Sequence, residues 1–513
     1  MRDLLLVNPL FVREDPVERR LMTPYFPLGL LYLAAVAREA GYDVAIFDAM
    51  FGQRDEDFVA ALEREELRVV GVSVLATVRD AALRLAELAH RHGATVVVGG
   101  ADPTARPDLY LQYQTDGIHP VDLVVVGEGE ATLLELLPLL LLSEDRLMEH
   151  DLDLVKGLAY LSEEGRVVVT PSRPLINDLD SLPLPARDLI DIERYRKVWR
   201  SHHGFFSLSL IATRGCPYSC TWCQKSVFGR SFRPRSPETV AEEMRVIKER
   251  YHPDQIRIVD DVMGIDDKWV RAWHNAVLTR DAVIPFECLS RVDLMDGELV
   301  LMLKEAGCRR IHFGAESGSQ KVLDAINKGT MVPQMYRAAE ICRRLGIETY
   351  FYMMVGYPGE GWEDLKLSMK LLRETRPDVF STTIAYPLPG TKFYEQVRDR
   401  LMVEGKRVPD WAYTAENRLL FRRGRYNTFF YRWVIRWFHV EWKEAWFRAG
   451  RRASLLARLK TRAGLWLTRL VVNLLARMPG ATAVRFHPTS SLSSPPMGGK
   501  EGGKEEQRGC RMG

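Results

Sequence analysis

Short apolar runs alternate with segments of helical periodicity over the first 142 residues. The apolar runs indicate buried strands, at residues 4–7, 44–47, 69–74, 95–98 and 123–126. Amphipathic segments such as 28–40 and 80–92 separate them. Strand and helix alternation of this kind predicts a doubly wound, Rossmann-like α/β domain over residues 1–142. Ligands bind such sheets at the carboxyl ends of the strands.

The same alternation resumes between residues 204 and 400. Six apolar runs indicate strands near residues 208–213, 255–259, 284–289, 309–313, 347–355 and 378–386. Six strand–helix units in succession predict a partial (β/α)6 barrel of the TIM type, with chemistry at the carboxyl ends of its strands. Ser236 should cap the helix between the first two strands, because Pro237 follows it. Residues 143–203 are expected to form a connector, with a hairpin at 157–170.

The C-terminal part of the chain differs in charge and composition. Residues 401–480 suggest a basic, aromatic-rich helical domain, since fourteen Lys or Arg stand against two acids between Arg422 and Arg477. These helices could pack on the barrel, lie on a membrane surface, or meet an acidic, hydrophobic substrate. Residues 481–513 are rich in Ser, Gly, Pro and Lys, which predicts a disordered tail.

The overall composition bounds the class of protein. The formal net charge is only +3, so the whole chain carries no nucleic-acid footprint. Hydrophobic residues make up 46% of the chain, and no run of twenty uncharged residues occurs. We therefore expect a soluble globular enzyme in the cytoplasm, with peripheral contact at the inner face of the membrane as an alternative for the C-terminal helices.

Three cysteines follow the first strand of the predicted barrel: Cys216, Cys220 and Cys223, in a CxxxCxxC cluster. Three thiolates can each bind one iron of a cubane, which leaves one iron open. A structural zinc site is the alternative, but it needs four ligands, usually as two close pairs, and no second pair exists. The remaining cysteines favour other roles: Cys288, Cys308 and Cys342 lie in apolar stretches and should be buried, and Cys510 lies in the tail.

This cysteine loop resembles that of the radical S-adenosylmethionine superfamily, CxxxCxΦC, with Trp222 as the aromatic residue. The resemblance implies a [4Fe-4S] cluster whose open iron binds S-adenosylmethionine and cleaves it to a 5′-deoxyadenosyl radical. Further residues at strand ends match positions that bind S-adenosylmethionine in the family. They are Asp260 and Asp261 for its amino group, Arg291 for its carboxylate, Glu316 for its ribose, and Gly356 on its adenine side.

The N-terminal domain resembles the cobalamin-binding domain fused to many of these enzymes. The resemblance rests on Pro27-Leu-Gly-Leu-Leu-Tyr, Gly71-Val-Ser-Val, Val98-Gly-Gly-Ala-Asp-Pro-Thr and Val126-Gly-Glu-Gly-Glu. The cobalamin-binding residues that it implies are Asn8, Pro9, Ser73, Gly99, Gly100, Asp102, Glu128, Gly129 and Glu130. The DxHxxG motif is absent, so the sequence offers no histidine as a lower ligand to cobalt.

Both resemblances together predict a cobalamin-dependent radical S-adenosylmethionine enzyme. The family most often abstracts hydrogen from an unactivated carbon and then transfers a methyl group from methylcobalamin. An oxidative cyclase acting on a tetrapyrrole-like substrate is the closest alternative, and a non-catalytic cobalamin or cluster sensor is a more distant one. The expected partners are a small-molecule substrate, a hydrophobic one being compatible with the C-terminal helices, and an electron donor such as flavodoxin or ferredoxin. No nucleic acid is expected.

Overall fold

A computed structural model of the protein describes residues 2–51, 54–65, 67–142, 149–401, 421 and 426–478. The predicted tail at 481–513 and much of the stretch between residues 401 and 426 lie outside the described residues. The predicted fold class is confirmed: an α/β N-terminal domain precedes a partial barrel and C-terminal helices.

The N-terminal sheet has seven strands in the order β2-β1-β3-β4-β5-β6-β7. Its strands are β1 (Leu4–Asn8), β2 (Val44–Asp48), β3 (Val69–Ser73), β4 (Thr95–Gly99), β5 (Leu123–Val125), β6 (Leu158–Leu161) and β7 (Val167–Val169). The first five are parallel, and β6 and β7 continue the sheet as an antiparallel hairpin. The hairpin expected in the connector therefore extends the N-terminal sheet. The chain reverses its strand order between β1 and β3, which is where doubly wound sheets bind ligands.

Helices cover both faces of this sheet. They are α1 (Pro16–Leu21), α2 (Leu28–Glu39), α3 (Asp55–Glu65), α4 (Arg79–Arg91), α5 (Ala101–Ala105), α6 (Pro107–Leu111), α7 (Glu130–Leu142) and α8 (Glu149–Leu154). Two buried clusters result, one on each face, because β1, β3 and β4 are apolar on both sides. Helix α9 (Ile192–His203) then joins the two domains: the Tyr195 hydroxyl donates to Asp48 at 2.6 Å, and its ring stacks on Phe26.

The barrel is an open sheet of six parallel strands in sequential order. Its strands are β8 (Ser207–Leu210), β11 (Gln255–Ile258), β12 (Phe286–Ser290), β13 (Cys308–Glu316), β14 (Glu348–Val355) and β15 (Val379–Ile384). A two-stranded ribbon, β9 (Thr213–Arg214) with β10 (Arg233–Pro234), carries the cysteine loop. Side chains at alternate positions, such as Ile256 and Ile258, pack outward against helices. Those between them face the inside of the barrel.

Polar side chains cap the N-termini of several barrel helices. The helices are α10 (Pro237–Tyr251), α11 (Asp267–Thr279), α12 (Gly297–Glu305), α13 (Gln320–Ala325), α14 (Val332–Leu345), α15 (Trp362–Thr375) and α16 (Lys392–Val397). The Ser236 hydroxyl accepts from the Thr239 backbone N–H, so the predicted cap of α10 is confirmed. Asp266 and Asp296 cap α11 and α12 in the same way.

The C-terminal segment is a helical hairpin of α17 (Thr428–Arg448) and α18 (Leu455–Arg477). Helix α17 packs on α15 and on the edge strand β15, where Phe380 contacts the rings of His439 and Trp442. The Trp442 indole also donates to the Pro377 carbonyl at 2.8 Å. None of the helices in the described ranges is both long and apolar enough to cross a membrane.

Candidate active site

The three cysteines predicted to hold a cluster line one cavity at the carboxyl end of the barrel. The cavity has a volume of about 460 Å³. Cys216 is buried, Cys220 and Cys223 are half-buried, and all three are free thiols. Lys225 donates to the carbonyl oxygens of Cys216, at 2.8 Å, and of Tyr218, so it draws the loop around the cavity.

Three thiols on one loop are a ligand set for an iron–sulfur cluster. Within the described residues, no group of three or more His, Cys, Asp or Glu side chains is assembled to hold a single metal ion. In a cubane each thiolate binds a different iron, so the ligands surround the cluster instead of meeting at one point. Burial raises the pKa of Cys223 to about 12, with Lys225 opposing the shift. Metal binding would offset the cost of forming this thiolate.

Asp260 ends β11 on the same cavity and is almost fully buried. Its Oδ1 accepts from the backbone N–H groups of Ala212, at 2.7 Å, and Thr213, at 3.0 Å. Its Oδ2 is buried and has no hydrogen-bond partner among the described residues. Burial raises the pKa of Asp260 to about 7. A cationic group entering the cavity would supply the missing partner.

The neighbouring carboxylate, Asp261, also lines the cavity but is exposed to it. The surrounding walls of the barrel mouth partly desolvate this carboxylate, which raises the pKa of Asp261. The charge of Lys225 opposes the shift. Arg291 lies across the cavity and is buried. Its guanidinium lies 3.5 Å from the centre of the Tyr218 ring and pairs with Asp293 at 2.9 Å. It is therefore held rigidly where a ligand carboxylate could meet it.

Glu316 closes β13 and carries the backbone strain of the site. Its φ is +60°, in the left-handed region that residues other than glycine seldom adopt. The Lys328 ammonium donates to Glu316 Oε1 at 3.0 Å, and both side chains are buried. A Cβ at Gly314 would come within 2.6 Å of Lys328 Nζ, so a larger residue there would displace the Lys328 ammonium. The strain and the close approach hold the carboxylate at the cavity wall.

The last two predicted S-adenosylmethionine contacts occupy different places. Trp222 lines the cavity, and its indole N–H is buried with no partner in the described part of the chain. Gly356 follows β14 with φ +82° and is buried outside the lining of the cavity, where its N–H donates to Glu360 at 2.5 Å.

The cavity continues into the barrel along side chains that the sequence analysis did not select. Arg257, Tyr352, Tyr25, Tyr386 and Leu388 all line it. Arg257 makes only long contacts, 3.6 Å to Glu287 and 3.4 Å to the Tyr352 hydroxyl. The sequence did contain a signal for Arg257. It alternates with the outward-facing Ile256 and Ile258, which places its cation on the inner side of β11.

Two further cavities lie at the carboxyl edge of the N-terminal sheet. One, of about 450 Å³, is lined by Asn8 and Ser73 and also by Tyr25, Tyr386 and Leu388 of the barrel cavity. The other, of about 160 Å³, lies between the sheet and α2. Ser73, Gly99, Gly100, Glu128, Gly129 and Glu130 line it. Seven of the nine predicted cobalamin-binding residues thus line one or both of these cavities.

Two predicted residues, Pro9 and Asp102, line neither cavity. Pro9 is buried in the fold. The Asp102 carboxylate is fully buried and makes two hydrogen bonds with Arg79, at 2.7 and 2.9 Å, and one with the Tyr110 hydroxyl. A buried charge needs such partners, and they turn Asp102 away from the ligand space.

Glu128 and Glu130 connect the two domains. Arg214, next to the cysteine loop, donates to Glu128 at 3.0 Å and to Glu130 at 2.6 Å. Arg233 donates to Glu128 at 2.8 Å. All four side chains are buried. Arg214 and Phe228 also line the smaller cavity, so the barrel forms part of its wall.

The smaller cavity is lined mainly by apolar side chains of four adjacent strands, β1, β3, β4 and β5. They include Leu6, Val97 and Val125. Gly71 lies among them, and a Cβ there would come within 2.8 Å of the Leu6 side chain. The Leu6 side chain therefore packs against the bare backbone of Gly71 in the wall of this cavity.

Comparison with known proteins agrees with this geometry. The sequence pattern of the Radical SAM superfamily matches residues 210–372, and that of the B12 binding domain matches residues 19–137. An uncharacterized methyltransferase of Pyrococcus horikoshii is 30% identical over 399 residues, covering 77% of this chain and 83% of the relative. The chain belongs to the cobalamin-dependent radical S-adenosylmethionine family. The predicted cofactors, a [4Fe-4S] cluster, S-adenosylmethionine and cobalamin, are confirmed as those of this family.

Other members of the cobalamin-dependent radical S-adenosylmethionine family match over similar lengths. The anaerobic magnesium-protoporphyrin IX monomethyl ester cyclase of Rubrivivax gelatinosus is 28% identical, covering 74% of this chain and 67% of the relative. The radical S-adenosylmethionine methyltransferase TsrM of Kitasatospora setae, solved with cobalamin and a [4Fe-4S] cluster bound, aligns with a TM-score of 0.62. It is 21% identical and covers 78% of each chain, which supports the shared fold.

Proposed function

We propose that this enzyme methylates an unactivated carbon of a small molecule. One observation carries the proposal: two cavities share a wall made of Tyr25, Tyr386 and Leu388. One is the barrel cavity with the three cysteines, and the other is the cavity of about 450 Å³ at the carboxyl edge of the N-terminal sheet. A substrate at this wall is accessible from both sides. When bound, the reduced cluster supplies cleavage of S-adenosylmethionine to a carbon radical, and cobalamin supplies a transferable methyl group.

The residues of the barrel mouth would then bind and orient S-adenosylmethionine. We assign its ammonium to Asp260, whose buried Oδ2 needs a partner, with Asp261 adding negative charge. Arg291 would meet its carboxylate, and Glu316 its ribose hydroxyls. Trp222 and the turn at Gly356 would then form its adenine side. A ligand fixed at both ends in this way reaches the reacting geometry with little further loss of entropy.

The N-terminal residues would hold cobalamin by shape rather than by a protein ligand to cobalt. Asn8 and Ser73 lie at the larger cavity, while Gly99, Gly100 and Gly129 leave room at the smaller one. Glu128 and Glu130 are occupied by Arg214 and Arg233, so we assign them to closing the cavity. Asp102 is assigned to the fold, through Arg79.

The inner end of the barrel cavity suits the substrate. Tyr25, Tyr352 and the half-paired Arg257 offer hydrogen-bond donors among apolar walls such as Met354 and Leu388. We further propose that a reduced flavodoxin or ferredoxin provides the electron, and that the enzyme works in the cytoplasm with its C-terminal helices against the inner face of the membrane.

Anaerobic reconstitution with labelled S-adenosylmethionine, cobalamin and a cell extract as substrate source tests the reaction. Methyl transfer uses one S-adenosylmethionine as methyl source, leaving S-adenosylhomocysteine, and another as radical source, leaving 5′-deoxyadenosine and methionine. Both products and a labelled methyl group in a small molecule are expected. The Cys220→Ala variant should form no 5′-deoxyadenosine, whereas Cys288→Ala, a change in the core, should still form it.

Each alternative has its own result in the same experiment. Production of 5′-deoxyadenosine without S-adenosylhomocysteine, together with ring closure or oxygen insertion in the product, would support an oxidative cyclase. A protein that holds cluster and cobalamin yet makes no 5′-deoxyadenosine would be a sensor. The relatives include both a methyltransferase and a cyclase by name, so the labelled product decides between them.

A further inference from the structure

Helix α18 has two apolar faces, of which only one packs on the protein. Leu465, Thr468, Val472 and Ala476 are buried against the rest of the hairpin. On the opposite side, leucines and a tryptophan are exposed to solvent. They are Leu455, Leu456, Leu459, Trp466, Leu467, Leu470 and Leu474, with Leu455 at 74% and Trp466 at 69% exposure.

These seven side chains form one continuous stripe, which we call the outer face of α18. At 3.6 residues per turn they fall within about 120° of the helix circumference. The helix has 23 residues, so the stripe extends for about 30 Å along its axis. Single exposed leucines are common, but an aligned row of this length marks a surface that contacts something apolar.

The residues beside the outer face are basic. Helix α18 contains Arg458, Lys460, Arg462, Arg469 and Arg477 and no Asp or Glu. Arg462 and Arg469 pair with Glu444 and Glu441 of α17, which fixes the hairpin with the outer face turned outward. Arg458, Lys460 and Arg477 have no ion pair within the described residues, and Arg451 and Arg452 add charge in the preceding turn.

We propose that the outer face of α18 is a docking surface for an anionic lipid membrane, with the helix lying in the plane of the interface. An apolar stripe flanked by Lys and Arg, with an exposed Trp, has the properties of an interfacial helix. Basic side chains at its edges would meet lipid phosphates while the leucines enter the acyl boundary. The proposal assigns the membrane contact of the C-terminal helices to a specific surface. This contact does not depend on the proposed methylation reaction.

Charge disfavours the other occupants. A second copy of the chain would bring two rows of Arg and Lys together, and like charges repel. The chain's own residues 481–513 are mainly Ser, Gly, Pro and charged residues, with too few apolar side chains to cover seven exposed ones. An anionic lipid membrane matches both the apolar stripe and the basic residues beside it.

Co-sedimentation with lipid vesicles tests the proposal on the full-length protein. We expect binding to vesicles of phosphatidylcholine with phosphatidylglycerol, weaker binding to phosphatidylcholine alone, and weakening by salt. The double variant Leu459→Glu, Leu470→Glu should bind at least about tenfold less, since charge on the apolar side opposes insertion. Leu278→Glu with Leu301→Glu is the matched control, because these leucines are similarly exposed on helices of the barrel.

A second measurement locates the contact. Brominated lipids should quench part of the tryptophan fluorescence of the native protein, and the Trp466→Phe variant should lose that part while keeping its melting temperature. The proposal is overturned if native protein stays in the supernatant with both kinds of vesicle, or if the α18 variant binds as well as the control. A dimer that only the α18 variant dissociates, without vesicle binding, would assign the face to a second copy. None of these readouts uses catalysis, so failure of the methylation proposal leaves this one intact.

Discussion

Arg214, adjacent to the cysteine loop, donates a 3.0 Å hydrogen bond to Glu128 of the N-terminal domain, and both side chains are buried. The pair joins the loop proposed to hold the cluster to the wall of the proposed cobalamin cavity. Glu130 and Arg233 extend it into a network of four side chains. The positions proposed for the two cofactors are therefore connected through buried charged groups.

Arg214→Met should lower the free energy of unfolding by about 3–5 kcal/mol, because Glu130 would lose its ion pair with Arg214 and Glu128 would keep only the one with Arg233. Urea unfolding of the cofactor-free protein would measure this. Arg230→Met is the control, since Arg230 is exposed and makes one 3.3 Å bond to Ser219. Equal free energies of unfolding for the two variants would show that the ion pairs of Arg214 contribute little to stability.

Asp102→Asn should also destabilise the protein, by about 3–5 kcal/mol, because Arg79 would lose its buried ion pair with Asp102. Cobalamin affinity should change little in protein that stays folded, because Asp102 does not line the cavities. Thermal unfolding and cobalamin titration measure the two effects. A large loss of affinity at unchanged stability would return Asp102 to the binding site.

Asp260 should make both stability and ligand binding depend on pH. Its folded pKa of about 7 lies above the ordinary value, so between about pH 4 and 7 the folded state holds a proton that the unfolded state has lost. The free energy of unfolding should therefore fall as pH rises through this window and level off above it. Asp260→Asn should flatten this dependence, while Asp281→Asn, a change at an exposed carboxylate, should not.

The affinity for S-adenosylmethionine should change in the opposite sense. Its ammonium is attracted by the ionised form of Asp260, so binding should strengthen as pH rises through about 7. Isothermal titration of the reconstituted protein at several pH values checks this. A flat profile in the native protein would remove Asp260 from the proposed ammonium site.

Gly71→Val should weaken cobalamin binding by about tenfold or more, because the valine side chain would displace Leu6 in the wall of the smaller cavity. Thermal unfolding is measured alongside, since Leu6 has to move to admit valine. Gly297→Val is the control, since nothing lies within 4 Å of a Cβ added at the start of α12. Cobalamin retention after gel filtration, read by absorbance, distinguishes the two variants.

The strands and the cysteine loop could be predicted because their signals are local. Apolar runs gave β1 to β5 and the six barrel strands to within about three residues, and CxxxCxxC is contained in one loop. Lys328 could not be selected in this way. It lies only 12 residues after Glu316, but no local pattern pairs the two side chains, which the folded loop brings together.

Asp102 illustrates a different limit. A carboxylate after two glycines at a strand end has the local pattern of a ligand, and nothing in that pattern reveals a distant cation. Arg79, 23 residues earlier, begins the preceding helix α4 and binds the carboxylate. Partner choice between buried charges depends on helix packing, which a single sequence does not display.

Tyr25, Tyr386 and Leu388 border the barrel cavity and the cavity before the N-terminal sheet alike. A substitution at any of the three would alter the space offered to a substrate from two directions at once, while leaving the cysteines and Gly71 untouched. Under the proposed function, relatives that share the cofactors would differ in substrate through a few side chains at this boundary. Substrate choice would then evolve at the boundary between the domains without disturbing either of them.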